Sequence, residues 1–139
     1  NANYVLEGLR DLFALPYERR CMHEFVVSAT PLKEHGVRAL DVAKRLLDYG
    51  LHPPTTYFPL IVDEALMVEP TETEAKESLD LLIAAFRAIV GEARTDPDLL
   101  RQAPTRMPVG RLDEAEAARR PVLRQRFAKD ETAGAAGGS

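Results

Sequence analysis

The sequence predicts an α+β fold: a small, mostly antiparallel sheet with helices packed on one face. Apolar residues recur at helical spacing in several stretches, short alternating runs lie between them, and prolines separate one from the next. The expected order is helix, strand, helix, strand, strand, helix, then an extended tail.

The first helix is read from Ala2, Val5, Leu6, Leu9, Leu12 and Phe13, which share one face at spacings of three and four. Such a stripe must be buried, either on its own domain or on a neighbouring one. Pro16 ends the pattern, and Met22 to Ala29 alternates as a strand does. Val37, Leu40, Ala43, Leu46 and Leu47 then mark a second helix, with Gly50 where a left-handed cap belongs. Pro53-Pro54 cannot continue it, because proline lacks the amide donor. Thr55 to Val62 reads as a strand that Pro59 confines to an edge or breaks. Leu66 to Glu69 is a second short strand of this pair, closed by Pro70.

Thr71 and Glu74 have capping-box spacing, so the third helix is expected to open there, with Glu72, Glu74 and Glu77 favoured by its dipole. Ala75, Leu79, Leu82, Ile83, Phe86 and Ile89 form its apolar face. Beyond Arg94, Pro97, Pro104, Pro108 and Pro121 interrupt the chain, and the one helix expected is near Leu112 to Arg119. The division that follows is a small α+β domain over 1–94, an extended proline-rich segment over 95–128, and an unstructured tail over 129–139. Residues 1–15 are the candidate link to another domain.

Composition narrows the function. With 139 residues, 45% hydrophobic and 29% charged, the chain is an ordinary globular mixture long enough for one core. No apolar run is long enough to span a bilayer. The single cysteine, Cys21, cannot form an internal disulfide, so a reducing, cytoplasmic setting is expected. Net charge is −4, with 10 basic and 15 acidic side chains over 1–94 and 8 and 7 over 95–139. A surface that mixed, with Phe127 the lone aromatic of the late segment, argues against nucleic acid as a partner.

Catalytic sets are absent. His23, His35 and His52 never pair at helical spacing, and Cys21 with His23 supplies two metal ligands where zinc needs four. A half-buried thiol beside a surface imidazole is the simpler account of that pair. No glycine-rich phosphate loop occurs. The segment that asks for more than a structural reading is Leu51 to Pro59 (LHPPTTYFP), where three prolines stiffen a loop bearing His52, Thr55, Thr56 and Tyr57.

At this loop the chain resembles a known family. Cys21-Met22-His23-Glu24-Phe25, the helix Ala39 to Gly50, His52-Pro53-Pro54-Thr55, Tyr57-Phe58-Pro59 and Met67-Val68-Glu69-Pro70-Thr71-Glu72-Thr73-Glu74 are similar to the C-terminal part of glycine decarboxylase P-proteins. The likeness is to the second subunit of the two-subunit bacterial form, and it extends over residues 1–126 through Arg111-Leu112-Asp113-Glu114 and Ala118-Arg119-Arg120-Pro121. The resemblance implies the small C-terminal domain of a fold-type I pyridoxal-phosphate enzyme. It also implies an oxidoreductase of the glycine cleavage system, which decarboxylates glycine as a cofactor Schiff base and passes the aminomethyl group to the lipoyl arm of the H-protein.

In that family the Schiff-base lysine follows a histidine. Here Lys33, Lys44, Lys76 and Lys129 follow leucine or alanine. No catalytic lysine is therefore carried over, and no cofactor is expected on this chain alone. The expected partners are the rest of the P-protein (cofactor domain and other subunit), the H-protein and glycine. His52 and Thr55 are the expected substrate- or cofactor-facing residues. The rival expectation is a free-standing α+β interaction module, which an exposed stripe on residues 2–13 would favour.

Overall fold

The computed structural model describes residues 1–124. It is the expected α+β arrangement, with a three-stranded antiparallel sheet in spatial order β1-β3-β2. The strands are β1 (Phe25–Ser28), β2 (Thr55–Thr56) and β3 (Ala65–Val68), and the helices are α1 (Ala2–Leu9), α2 (Ala39–Asp48), α3 (Lys76–Thr95), α4 (Asp98–Gln102) and α5 (Glu114–Arg119). A 3₁₀ turn over Thr30–His35 leads into α2 and ends at Gly36, whose φ of 70° is the left-handed conformation that glycine tolerates.

Register decides what each strand buries. Phe25 pairs with Val68 and Val27 with Leu66, so these four share the face under the helices, and all are buried. Val26 pairs with Met67, which also pairs with Thr55; these three point to the opposite face. The helices that contribute to the core, α1 to α4, pack on the face of Phe25, Val27, Leu66 and Val68. On that side α3 is the central element, touching α1, α2 and α4. Phe86 on α3 is fully buried and meets Phe13 edge to face, with ring centroids 5.5 Å apart. The stripe Ala2, Val5, Leu6, Leu9 and Phe13 is buried within this core.

Several elements differ from the sequence expectation. The third helix starts at Lys76, with Ala75 as its N-cap, and the Thr71–Glu74 capping box does not form. The Thr71 hydroxyl bonds that of Thr73 instead, and the Asn1 side-chain amide donates to the Thr71 and Glu74 carbonyls at 2.7 and 3.1 Å. A tertiary partner holds this stretch as a turn. The strand expected from Thr55 to Val62 is two residues long, because Tyr57 turns into positive φ (60°) and the Val62 amide closes a turn onto the Pro59 carbonyl. The strand read from Met22 begins only at Phe25, so Cys21 and His23 lie in the loop before it.

After α3 there are two short helices among the described residues, not one. The missed helix, α4, buries Leu100 completely, and Ala103 beyond it is buried too. Its two flanking prolines hid five residues of helix with a single core-facing leucine. The helix expected near Leu112 to Arg119 is α5, and none of its residues is buried. The tail 129–139 lies outside the described residues.

Gly8 sits where α1 crosses α3, and a Cβ built there would come within 2.6 Å of Ile83 Cδ1 and 2.9 Å of its Cγ1. Gly8→Ala should therefore cost about 1–3 kcal/mol by overpacking. Gly91→Ala, in open space on α3, should instead stabilise by about 0.5–1 kcal/mol through helix propensity. Urea denaturation of the two variants checks both signs.

Candidate functional site

Local chemistry explains why the Leu51–Pro59 loop is fixed in place. The second helix ends at Tyr49, and Gly50 takes φ 75°, as its position after the helix predicts. The Leu51 amide then returns to the Leu46 carbonyl at 3.0 Å, completing the turn that launches His52-Pro53-Pro54. At the other end the Tyr57 amide donates to the Ala65 carbonyl at 2.8 Å. Glu64, with φ 49°, is the second non-glycine residue in the left-handed region, and its buried carboxylate accepts the Ala39 amide at 2.6 Å. That contact caps the start of α2. Backbone strain at Tyr57 and Glu64, of order 1–3 kcal/mol each, brackets the connection between β2 and β3 and fixes its path.

The structure places the two residues singled out by the sequence in different surroundings. His52 is exposed and borders a groove of about 330 Å³ between the Pro53-Pro54 turn, the end of β3 and α3, where Glu69 and Glu74 supply carboxylates. Thr55, paired with Met67, lies on the other face of the sheet. That open face carries a second groove, of about 530 Å³, with Val26 and Met67 on its floor. Its walls include Arg19, Arg20, His23 and Phe58.

Cys21 is tied down by Asn3, whose side chain accepts from the Cys21 amide at 3.0 Å and donates to its carbonyl at 2.8 Å. Cys21 is half-buried and His23 exposed, the simpler arrangement expected of them. Among the described residues no group of three or more His, Cys, Asp or Glu side chains is placed to hold a metal ion.

Electrostatics show what these groups are built to do. The Asp11 carboxyl is held below its usual range by Arg87, Asp80 by Lys76, and Glu92 by Arg45. Ion pairing with Asp63 and Asp80 raises the Lys33 and Lys76 amines. Burial, then the Glu64 carboxylate, pushes the Tyr57 phenol up. Every one of these shifts deepens the charge state the group already has at neutral pH. None of these groups is poised to move a proton there.

The least expected polar cluster lies at the end of α2. Arg45 makes a two-pronged pair with Glu92 on α3, at 2.8 and 2.9 Å, and bonds Asp48 at 3.1 Å. Asp48, whose side chain is 1% exposed, accepts the Thr105 and Arg106 amides at 2.8 and 2.7 Å. Arg111 then reaches back to Asp41 at 2.7 Å and to the Ala103 and Leu100 carbonyls. Together they strap residues 103–111 to the helix. A carboxylate in the last turn opposes the helix dipole, and that misfit was the signal in the sequence that a donor from elsewhere must meet Asp48.

Comparison with known proteins identifies the chain's relatives. A family model described as "Glycine dehydrogenase, C-terminal domain" matches residues 1–104. Proteins named "Probable glycine dehydrogenase (decarboxylating) subunit 2" align closely. The one from Chlorobaculum tepidum is 62% identical over 120 residues, covering 86% of this chain and 25% of the relative. Those from Desulforamulus reducens and Staphylococcus haemolyticus are 59% and 57% identical over 124 residues, covering 88% and 89% of this chain and 26% and 25% of the relatives. The chain spans about a quarter of the length of the curated relatives it matches.

The family match stops at residue 104, just before the amides that Asp48 holds. Asp48→Ala should cost about 1–3 kcal/mol, since it takes from the Thr105 and Arg106 amides their buried acceptor while Arg45 keeps its pair with Glu92. Burial pushes the Asp48 carboxyl up, but the Arg106 and Thr105 amides and Arg45 outweigh it, and the net shift is downward. A carboxyl lowered on folding stabilises fully above its unfolded value, near pH 4. That contribution is lost as pH falls through the lower folded value. Urea titrations below about pH 4 should show wild type losing stability faster than Asp48→Asn.

Proposed function

Since the chain belongs to the glycine dehydrogenase C-terminal domain family, we propose that it acts as the C-terminal part of a larger subunit that decarboxylates glycine with pyridoxal phosphate. In this proposal the aminomethyl group passes to the lipoyl arm of the H-protein, and a second subunit completes the enzyme. The family match over residues 1–104 carries the proposal, and the printed name "subunit 2" of the relatives supports the partner subunit. A cytoplasmic setting fits the lone free thiol of Cys21. No described helix is long and apolar enough to cross a membrane.

The described residues do not fit a pyridoxal-phosphate site of their own. A Schiff base forms on a neutral amine. Lys33 and Lys76 are held protonated by Asp63 and Asp80, at 2.9 and 2.7 Å. Lys44 stands half-exposed on α2. Lys129 lies outside the described residues. On this proposal the cofactor belongs to the remainder of the intact subunit, and this chain alone is expected to be inactive. The stripe on residues 2–13 that would have favoured a free-standing module is buried at Ala2, Val5, Leu6, Leu9 and Phe13.

What the chain lends is shape. The His52–Tyr57 loop forms one wall of the active-site cleft, with His52 and Thr55 as its substrate- or cofactor-facing side chains. Stiffness supports this role, because positioning is worth most where the loop cannot relax. His52→Ala in the intact two-subunit enzyme should lower glycine–carbon dioxide exchange by about ten- to a hundredfold; unchanged kinetics would remove His52 from the site. Titrating the 139-residue chain with pyridoxal phosphate should give no stoichiometric visible adduct. A one-to-one adduct would overturn the assignment of the cofactor to the remainder.

A further inference from the structure

Residues beyond α4 grip α2 near both of its ends, and they do so through polar contacts. Asp41 and Asp48 lie about two turns apart, on one face of the helix. The Thr105 and Arg106 amides donate to Asp48 at 2.8 and 2.7 Å, and Arg111 reaches Asp41 at 2.7 Å. Every residue from Thr105 to Gly110 is exposed, so apolar burial does not keep this segment in place. It adds nothing to the core, yet it supplies donors to a carboxylate whose side chain is 1% exposed. Such a strap has a purpose other than filling the interior.

The turn of helix that the strap grips is the one that launches the Leu51–Pro59 loop. Arg45 and Tyr49 are fixed to Glu92 on α3, at 2.8 and 2.7 Å, and the Arg45 guanidinium lies 5.4 Å from the centre of the Tyr49 ring. Asp48, between them in sequence, is held from the other side by the strap. Gly50 then reverses the chain, and the Leu51 amide returns to the Leu46 carbonyl at 3.0 Å. Between that bond and the pairing of β2 with β3, the one further hydrogen bond among the described residues runs from the Thr56 hydroxyl to the Pro54 carbonyl, within the loop itself. Pro53-Pro54 is stiff, so a shift at Leu51 is carried into His52 rather than absorbed.

We propose, on the reading that this loop walls the active-site cleft, that the strap over residues 105–111 sets the position of the loop for the reaction. Asp48 and Arg111 are positioning residues, acting through the last turn of α2 on His52. A carboxylate in that turn opposes the helix dipole, so the turn keeps its shape only while donors meet Asp48. Arg45 is one donor, and the strap supplies the other two. Misplacing a group by about 1 Å from a distance can slow a reaction about a hundredfold, so a device remote from the chemistry is enough to govern its rate.

Residue-resolved hydrogen exchange on the intact two-subunit enzyme reads the hold directly. Asp48→Ala should speed exchange of the Leu51 amide about tenfold and leave the Tyr57 amide, bonded to the Ala65 carbonyl, within about twofold of wild type. Arg111→Ala leaves the sequence of α2 untouched and should give the same pattern at about threefold. Glycine–carbon dioxide exchange per bound pyridoxal phosphate should fall about tenfold in Asp48→Ala. Asp48→Asn should recover most of that loss, because one oxygen of Asp48 already accepts both strap amides. In a His52→Ala background, Asp48→Ala should cost less than about twofold more, since both act on one loop.

Leu51 exchange that stays unchanged in both strap variants would overturn the proposal. Equal acceleration at Leu51 and Tyr57 would do the same, because it marks a general loosening of the fold. So would turnover per bound cofactor that both variants leave intact while His52→Ala slows the enzyme, or that falls by one factor with His52 and without it. The two hypotheses fail separately. Selective acceleration at Leu51 beside a silent His52→Ala defeats the loop's place in the cleft, whereas a slow His52→Ala enzyme with Leu51 exchange unmoved in the strap variants defeats the strap alone.

Discussion

A sheet has two faces, and the helices described here cover one. Phe25, Val27, Leu66 and Val68 are buried beneath α1, α2 and α3, so that half of the sheet is satisfied within residues 1–124. The opposite half keeps Val26 and Met67 in a shallow groove ringed by exposed apolar side chains. Burial of apolar area drives folding and association alike. An uncovered sheet face of this composition thus directs attention to whatever packs on it.

Charge does for the ends of α2 what apolar burial does for its middle. At the start, Asp41 accepts the Arg38 amide and Glu64 the Ala39 amide, so two carboxylates lie where the helix dipole is positive. At the end, Asp48 would be repelled by the dipole but for Arg45 and the two amides of the 105–106 segment. The helix is held at one terminus by the connection between β2 and β3, and at the other by the chain beyond α4. Because the Leu51–Pro59 loop leaves directly from that second terminus, its position is set by both.

That geometry separates residues that lie close in sequence. His52 and Thr55 are three positions apart, yet a proline turn and the alternation of the strand put them beside different grooves. One groove is bordered by carboxylates and α3, the other by arginines and the open sheet. In a larger assembly the loop would present chemistry on both sides of a thin edge, which is a suitable shape for one wall of a cleft. The Tyr57 phenol and the paired lysines keep their ordinary charge states at neutral pH.

The sequence by itself determined the kinds of element, their order and most of the core. Apolar spacing marked Val5, Leu6 and Leu9 on α1 and Leu79, Phe86 and Ile89 on α3, and all six are buried. Gly50 marked the end of α2, because it acts through the local backbone, whereas the strand expected to be confined or broken by Pro59 ends earlier, at Thr56, where Tyr57 turns to positive φ. What local pattern could not decide, long-range contacts did. Asn1 reached across from the first residue to hold Thr71 and Glu74 as a turn, postponing α3 to Lys76. Leu100 found the core from a segment that read as broken, and Asp48 found its donors 57 and 58 positions away. Periodicity reports how a residue relates to its neighbours within a few turns; strand register, the coverage of one sheet face and the pairing of distant charges arise only when the elements meet.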